Sequence, residues 1–266
     1  MTLMIFWTFD AASQNVLSLS PGASGGALGA IRSTKTDVMA LYGNQAGLAS
    51  LVSPGFYVTA ERRFNNEGLN FYSAVGGLPT QYGNFGLSIY YHGFAEFNEQ
   101  LVGLTYARRL LDQLSIGTRL DYIQASIPAY GNTSAITAEF GMQTVITSGI
   151  LVGFSIYNPF EINWAEGEGL PTILNIGVAY QPTDKLWISG EIEKVSDFRE
   201  NVKWGLEYLY QDNFAFRVGF NTNPGLVTFG IGYSLNSGLA CDISSSVHQA
   251  LGLSPMAGIG YLAKNK

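Results

Sequence analysis

The sequence predicts an all-β protein, a closed transmembrane antiparallel barrel of about fourteen strands with its N-terminal segment folded into the lumen. Three observations predict it. Charged residues are only 13% of the 266-residue chain, against 47% hydrophobic and 13% aromatic, about half the charge of an ordinary soluble domain. Something other than water must therefore cover part of the surface. No apolar run reaches the roughly 18 residues that a spanning helix needs, and the most apolar stretches, such as 150–156, are strand-length. From Pro54 onward, apolar and polar residues alternate with a period of two, which places them on opposite faces of a strand. A bilayer admits only helices and closed barrels, so the barrel remains.

Residues 1–14 read as a signal peptide or its remnant. An apolar, aromatic stretch to Phe9 is followed by Asp10, Ala11, Ala12, Ser13 and Gln14, small and polar residues suited to cleavage. Residues 15–53 do not alternate. They hold a Gly/Ala cluster, Gly22 to Ala30, and a second compact stretch, Asp37 to Ala49. The Gly cluster has no preceding strand and no following βαβ unit, which excludes a dinucleotide fingerprint. A small-residue segment able to pack tightly inside something is the simpler account.

Residues 54–266 form the barrel. Phe214, Phe216, Val218 and Phe220 oppose Ala215, Arg217 and Gly219, and Val227, Phe229, Ile231 and Tyr233 oppose Thr228, Gly230 and Gly232. A lipid-facing wall and a polar lumen produce this division. Turn residues break the alternation roughly every fifteen positions, which implies about fourteen strands. Every second connection is short, as periplasmic turns are. The others are only slightly longer, apart from the stretch from Asn158 to Pro171, so an adhesin is not expected. Tyr106, Tyr122, Tyr180, Tyr208, Tyr210 and Tyr233 fit interfacial girdles. Inner-face glycines are read as relief of crowding in a strongly curved sheet. A soluble propeller would show a blade repeat of about 40–50 residues, which is absent. A sandwich would carry more charge.

The inner face is expected to hold a charge network of Arg109, Arg119, Asp121, Glu139, Glu191, Glu193, Lys203, Glu207 and Arg217, with Asp242 beside it. Such charges persist in a low-dielectric wall by pairing. Glu191 and Glu193, about 7 Å apart by strand geometry, have the spacing of an acid and base pair. Counter-charges at Lys203 and Arg217 make a structural role the stronger reading. Ser88 and His92 share a face, but nothing near them completes a triad. With two histidines in no ligand spacing and no calcium-loop pattern at Glu161, Glu166 and Glu168, no metal and no cofactor are expected. The net charge of −6 offers no basic stripe for nucleic acid. The single cysteine, Cys241, reads as a small apolar strand residue. Catalysis is therefore not expected.

Asp37, Ala40, Tyr42, Asn44, Ala46, Gly47, Leu48 and Ala49 match the N-terminal signature that FadL-type and PorV/PorQ-type outer-membrane barrels share. The chain resembles that superfamily, and the closing stretch from His248 to Tyr261 is similar to the last hairpin of PorV/PorQ-like proteins. Gln45 stands where the family has Pro, which softens a rigid kink, and the chain runs past Tyr261 to Lys266 instead of ending on an aromatic. The resemblance implies residence in the outer membrane of a Gram-negative bacterium, with outer-membrane lipid as a partner. It also implies a plug motif of Asp37, Tyr42, Asn44, Gln45, Ala46, Gly47 and Leu48. Three functions follow as expectations. The first is a non-enzymatic accessory or docking subunit in type IX-like protein export, with other outer-membrane or secretion proteins as partners. The second is a passive channel for a hydrophobic ligand, which the many inner charges disfavour by interrupting a continuous apolar path. The third is a structural subunit of another assembly.

Overall fold

The computed structural model describes residues 21–128, 131–165 and 168–263. The expected signal peptide lies outside the described residues, as does the basic C-terminal tail. Eight residues are enough for β1 (Gly55–Arg62), which is followed by β2 (Asn70–Thr80), β3 (Gly83–Phe94) and β4 (Phe97–Leu111). Next come β5 (Leu114–Ile127), β6 (Gly131–Thr147) and β7 (Ile150–Tyr157). A small hairpin, β8 (Asn163–Ala165) with β9 (Glu168–Gly169), decorates the longest connection. The circuit continues with β10 (Ile173–Thr183), β11 (Leu186–Val195), β12 (Asn201–Tyr210) and β13 (Phe214–Thr222). It ends with β14 (Gly225–Ser234), β15 (Leu239–His248) and β16 (Gly252–Leu262).

Apart from the β8–β9 hairpin, each strand pairs with its sequence neighbour, and β1 pairs with β16 to close the barrel. All the pairings are antiparallel, so no strand edge is left open. The burial pattern inverts that of a soluble protein. Outward Leu104, Ile136, Val218 and Ile243 are exposed, while inward Ser88, Ser155, Asp121 and Glu191 are buried. A wall of exposed aliphatic and aromatic side chains around a polar interior is what a bilayer selects.

One end of the barrel carries the turns 81–82, 112–113, 148–149, 184–185, 211–213 and 235–238. The other carries 63–69, 95–96, 158–172, 196–200, 223–224 and 249–251. Tyr180, Tyr208, Tyr210 and Tyr233 stand outward near the short-turn end, where an amphipathic ring marks the membrane boundary. Pro255 lies within β16, opposite Ser245. It falls just past the last β1 partner, Met256, at a position with a single paired neighbour, where proline is tolerated.

Residues 21–53 pack against the inward face. A short helix, α1 (Gly22–Gly26), touches β14, β15, β16 and β1. Two 3-10 turns follow, Asp37–Tyr42 against β1–β3 and Gln45–Ser50 against β3–β6.

Candidate functional site

The site is the lumen itself and the segment that occupies it. Asn44 is fully buried, and its Oδ1 accepts from Ala46 N (3.1 Å), capping the second 3-10 turn. Its Nδ2 faces three carbonyl oxygens, those of Ser33 (2.8 Å), Met142 (3.1 Å) and Phe154 (3.1 Å). One side chain thus ties the segment to itself and to the backbones of β6 and β7. Gln45, at the position where the resembled family has Pro, donates to the Glu139 carboxylate at 2.7 Å, a contact no proline could make. Gly47 passes so close to the Lys35 carbonyl that a Cβ would lie 2.0 Å from it. Ala46 and Leu48 are fully buried. The Tyr42 hydroxyl meets Ser73 Oγ at 2.9 Å, and its ring packs edge-on to Tyr57 and Tyr90. Asp37 sits at φ 54° with Ser50 Oγ donating to its carboxylate. Burial pushes that carboxyl above its usual range, partly opposed by the Ser50 hydroxyl.

The inner glycines have two causes: Gly103, Gly232, Gly258 and Gly260 relieve crowding against side chains of neighbouring strands, and a second set makes room for the N-terminal segment. Cβ atoms on Gly117, Gly141, Gly153 and Gly219 would lie within 2.4 Å of Gln45 C, Asn44 Oδ1, Ser33 O and Gly29 N respectively. Gly205 and Gly230 would meet Leu28 and Ala27 at 2.7 Å. Several are cross-strand partners, Gly117 with Gly141, Gly153 with Gly177 and Gly205 with Gly219. Together they form a belt that admits the backbone of the N-terminal segment, a close approach only glycine permits.

The charged residues fall into three knots. Arg119 binds Asp121 (2.7 Å) and Glu139 (2.9 Å). Lys203 binds Glu191 (2.9 Å) and Glu193 (2.7 Å). Arg217 binds Glu207 and Asp242 rather than the Glu191 pair. Two of the knots also hold the segment's backbone. Arg119 donates to the Leu41 carbonyl (2.9 Å) and Lys203 to the Ala30 carbonyl (3.2 Å). Glu191 accepts from the amides of Arg32 (2.8 Å) and Ser33 (2.6 Å). Arg109 stands outside this network. It is exposed beside the β4–β5 bulge and makes no ion pair among the described residues, because β4 runs on past the start of β3. A fourth pair, Arg63 with Glu61 at 3.2 Å, was not anticipated. Ser88 and His92 do not meet. The Ser88 hydroxyl has no partner among the described residues, and His92 Nδ1 contacts the Asn70 carbonyl.

The opposite side of the lumen is apolar. Val38, Leu41, Leu48 and Leu51 pack with Tyr57, Phe71, Val75, Tyr90, Leu101 and Ile123 on β1–β5. The wall here is thin. Cβ atoms on Gly77 and Gly86 would lie 2.6 Å from Leu51 and 2.5 Å from Leu41. Directly outside is an apolar depression of about 660 Å3 lined by Phe56, Leu78, Phe85, Leu87, Leu104 and Tyr261, within the size range of small-molecule sites. Outward-facing Gly76 forms its floor, with nothing nearer to a notional Cβ than the Gly55 carbonyl at 3.7 Å. The three knots are therefore gathered on β5–β6 and β11–β15. Around β1–β4 the buried Glu61, Arg63, His92 and Glu99 lie toward the end away from the short turns, and the wall at Gly77 and Gly86 carries no charge.

No family model matches the sequence, and no curated protein matches it. Solved structures do share the fold. The Ralstonia pickettii toluene transporter TbuX superposes with a TM-score of 0.71 at 13% identity, over 91% of this chain and 98% of that one. The Pseudomonas putida toluene transporter TodX gives 0.70 at 11% identity, over 92% and 99%. A Pseudomonas aeruginosa FadL homologue gives 0.62 at 12%, over 90% and 96%. At such identities the likeness establishes the fold alone, a closed fourteen-stranded antiparallel barrel.

Proposed function

We propose that this protein is a non-enzymatic outer-membrane channel for small hydrophobic molecules, plugged at rest by residues 21–53. The observation that carries the reading is apolar continuity across the wall. The depression outside β1–β4 is separated from Leu41, Leu48 and Leu51 only by the strand backbone at Gly77 and Gly86. A hydrophobic molecule passing from Leu41, Leu48 and Leu51 through the wall at Gly77 and Gly86 would meet no charge before reaching acyl chains, so no desolvation cost of an ionised group opposes that step. That three structures sharing the fold are described as toluene transporters or a FadL homologue supports the same class of cargo. Leu48 and Leu51 act as the gate, since their side chains fill the space in front of the two glycines.

Docking in protein export, the role that a PorV/PorQ-like resemblance implies, ranks second. Its support is the shortness of most outer connections, whereas two of the structures named above are described as toluene transporters.

The test uses intact Gram-negative cells, whose lipopolysaccharide layer slows hydrophobic permeants. Initial uptake of radiolabelled toluene is expected to rise on expression of the protein and to rise further with Leu48→Ala. Unchanged uptake, together with a stoichiometric protein partner recovered from solubilised membranes, would favour docking instead.

A further inference from the structure

The outer wall carries two lipid-facing glycines of very different surroundings. Gly190 lies under the Trp204 ring, 3.7 Å from where its Cβ would be, and Trp204 fills the space above it. Gly76 has no such cover and leaves the depression open. The depression runs to the short-turn end, where Pro54 and Ala263 complete its edge.

On β4, across the groove from Pro54 and Ala263, the same end is basic. The outward face of β4 reads Leu104, Tyr106, Arg108, so Arg108 lies about 13 Å along the strand from the groove residue Leu104. Tyr106 between them packs on Phe85 (5.3 Å) and donates to the Tyr82 carbonyl (2.7 Å). This is the order acyl region, aromatic girdle, headgroup. The strand end projects, because Asn84 pairs with Ala107 and β3 begins at Gly83, while β4 continues to Leu111. Arg108 and Arg109 are exposed there, and neither makes an ion pair among the described residues, not even with Asp112 in the adjoining turn. In a chain of net charge −6, a bare guanidinium at Arg108, on the same outward face as the groove residue Leu104, is complementary to an anionic amphiphile.

We propose that this groove is a lipid site, holding one acyl chain of an anionic glycerophospholipid whose phosphate rests on Arg108. The headgroup meets the Arg108 guanidinium at the membrane boundary, and the chain covers Gly76 as Trp204 covers Gly190. The site belongs to the outer wall and does not depend on cargo passing through the lumen.

The full chain, purified in detergent and incubated with phosphatidylglycerol or with phosphatidylcholine, can be read by native mass spectrometry. One phosphatidylglycerol per barrel is expected to be retained at low lipid excess. Arg108→Gln is expected to weaken that retention about fivefold, the usual contribution of one basic side chain at an anionic lipid surface. Gly76→Leu, which fills the groove, is expected to abolish it. Should Gly76→Leu not give the heat-modifiable folded band, a bulky maleimide on Leu78→Cys in a Cys241→Ser background blocks the same space after folding. Equal retention of the two lipids, no effect of Arg108→Gln, or retention that survives a filled groove would each overturn the site. So would displacement by inorganic phosphate alone, which would mark a headgroup contact without a chain. Lipid retention is read on purified protein without cargo, and toluene uptake on cells, so loss of the lipid site and failure of the channel reading can be told apart.

Discussion

The two sides of the lumen hold the same N-terminal segment by different physics. On β11–β15 and at Arg119, the segment's backbone is gripped by charged side chains, with Glu191 on the amides of Arg32 and Ser33 and Lys203 on the Ala30 carbonyl. On β1–β4 it is held by side-chain packing, Leu41, Leu48 and Leu51 against Phe71, Val75, Tyr90 and Leu101. Hydrogen bonds to charged groups are directional and costly to leave unmade, so the ionic side fixes the segment's position. Apolar contacts are non-directional, and an apolar guest can replace them with little loss. The contrast teaches where the barrel can yield without losing its plug.

Lys203→Met should produce the largest effect, because it strands Glu191 and Glu193 as uncompensated buried charges. A cost of about 3–5 kcal/mol is expected, read as a lowered urea midpoint of the heat-modifiable band in detergent. If the ionic side is the anchor, limited proteolysis of the same variant will cleave residues 21–53 while the strands stay intact. Leu48→Ala should cost about 2–3 kcal/mol but leave the segment protected from protease, and its signature is faster toluene uptake. A protease-sensitive Leu48→Ala would erase the distinction between the sides. Asn44→Ala removes a cap and the amide that faces three carbonyls, and about 1–2 kcal/mol is expected from the same unfolding measurement. Arg109→Gln should shift the unfolding midpoint by no more than about 0.5 kcal/mol, in contrast to Lys203→Met.

The barrel was legible because its signal is repeated in every strand. The alternation in 214–220 and 227–233 is the observed in-out pattern, and those two strands pair with one another, Val218 opposite Phe229. Parts of the charge network were legible for a similar reason. Lys203 and Glu191 are direct cross-strand partners, as are Arg119 and Glu139, and alternation already placed each pair on one face. Arg109 was misplaced because alternation gives a side chain's face but not the height at which a strand leaves its neighbour. The inner glycines were only partly explained, since crowding accounts for Gly103 and Gly258 but Gly153 and others make room for a distant part of the chain, Gly153 against Ser33 for instance. The charge-free stretch of wall at Gly77 and Gly86 was also missed. It is a property of the circumference, visible only when inward residues of neighbouring strands are read together, and it bears against the expectation that inner charges interrupt every apolar path.

The central claim is that hydrophobic cargo occupies the β1–β4 side of the lumen and no other part of it. A crystal structure of the full chain soaked with bromobenzene tests this directly through the anomalous signal of bromine. The account predicts bromine peaks among Leu41, Leu48, Leu51 and Tyr90 and in the depression outside Gly77 and Gly86. Peaks confined to the surroundings of Lys203 and Arg217, or a fully loaded crystal with bromine only at unrelated positions on the outer wall, would contradict it.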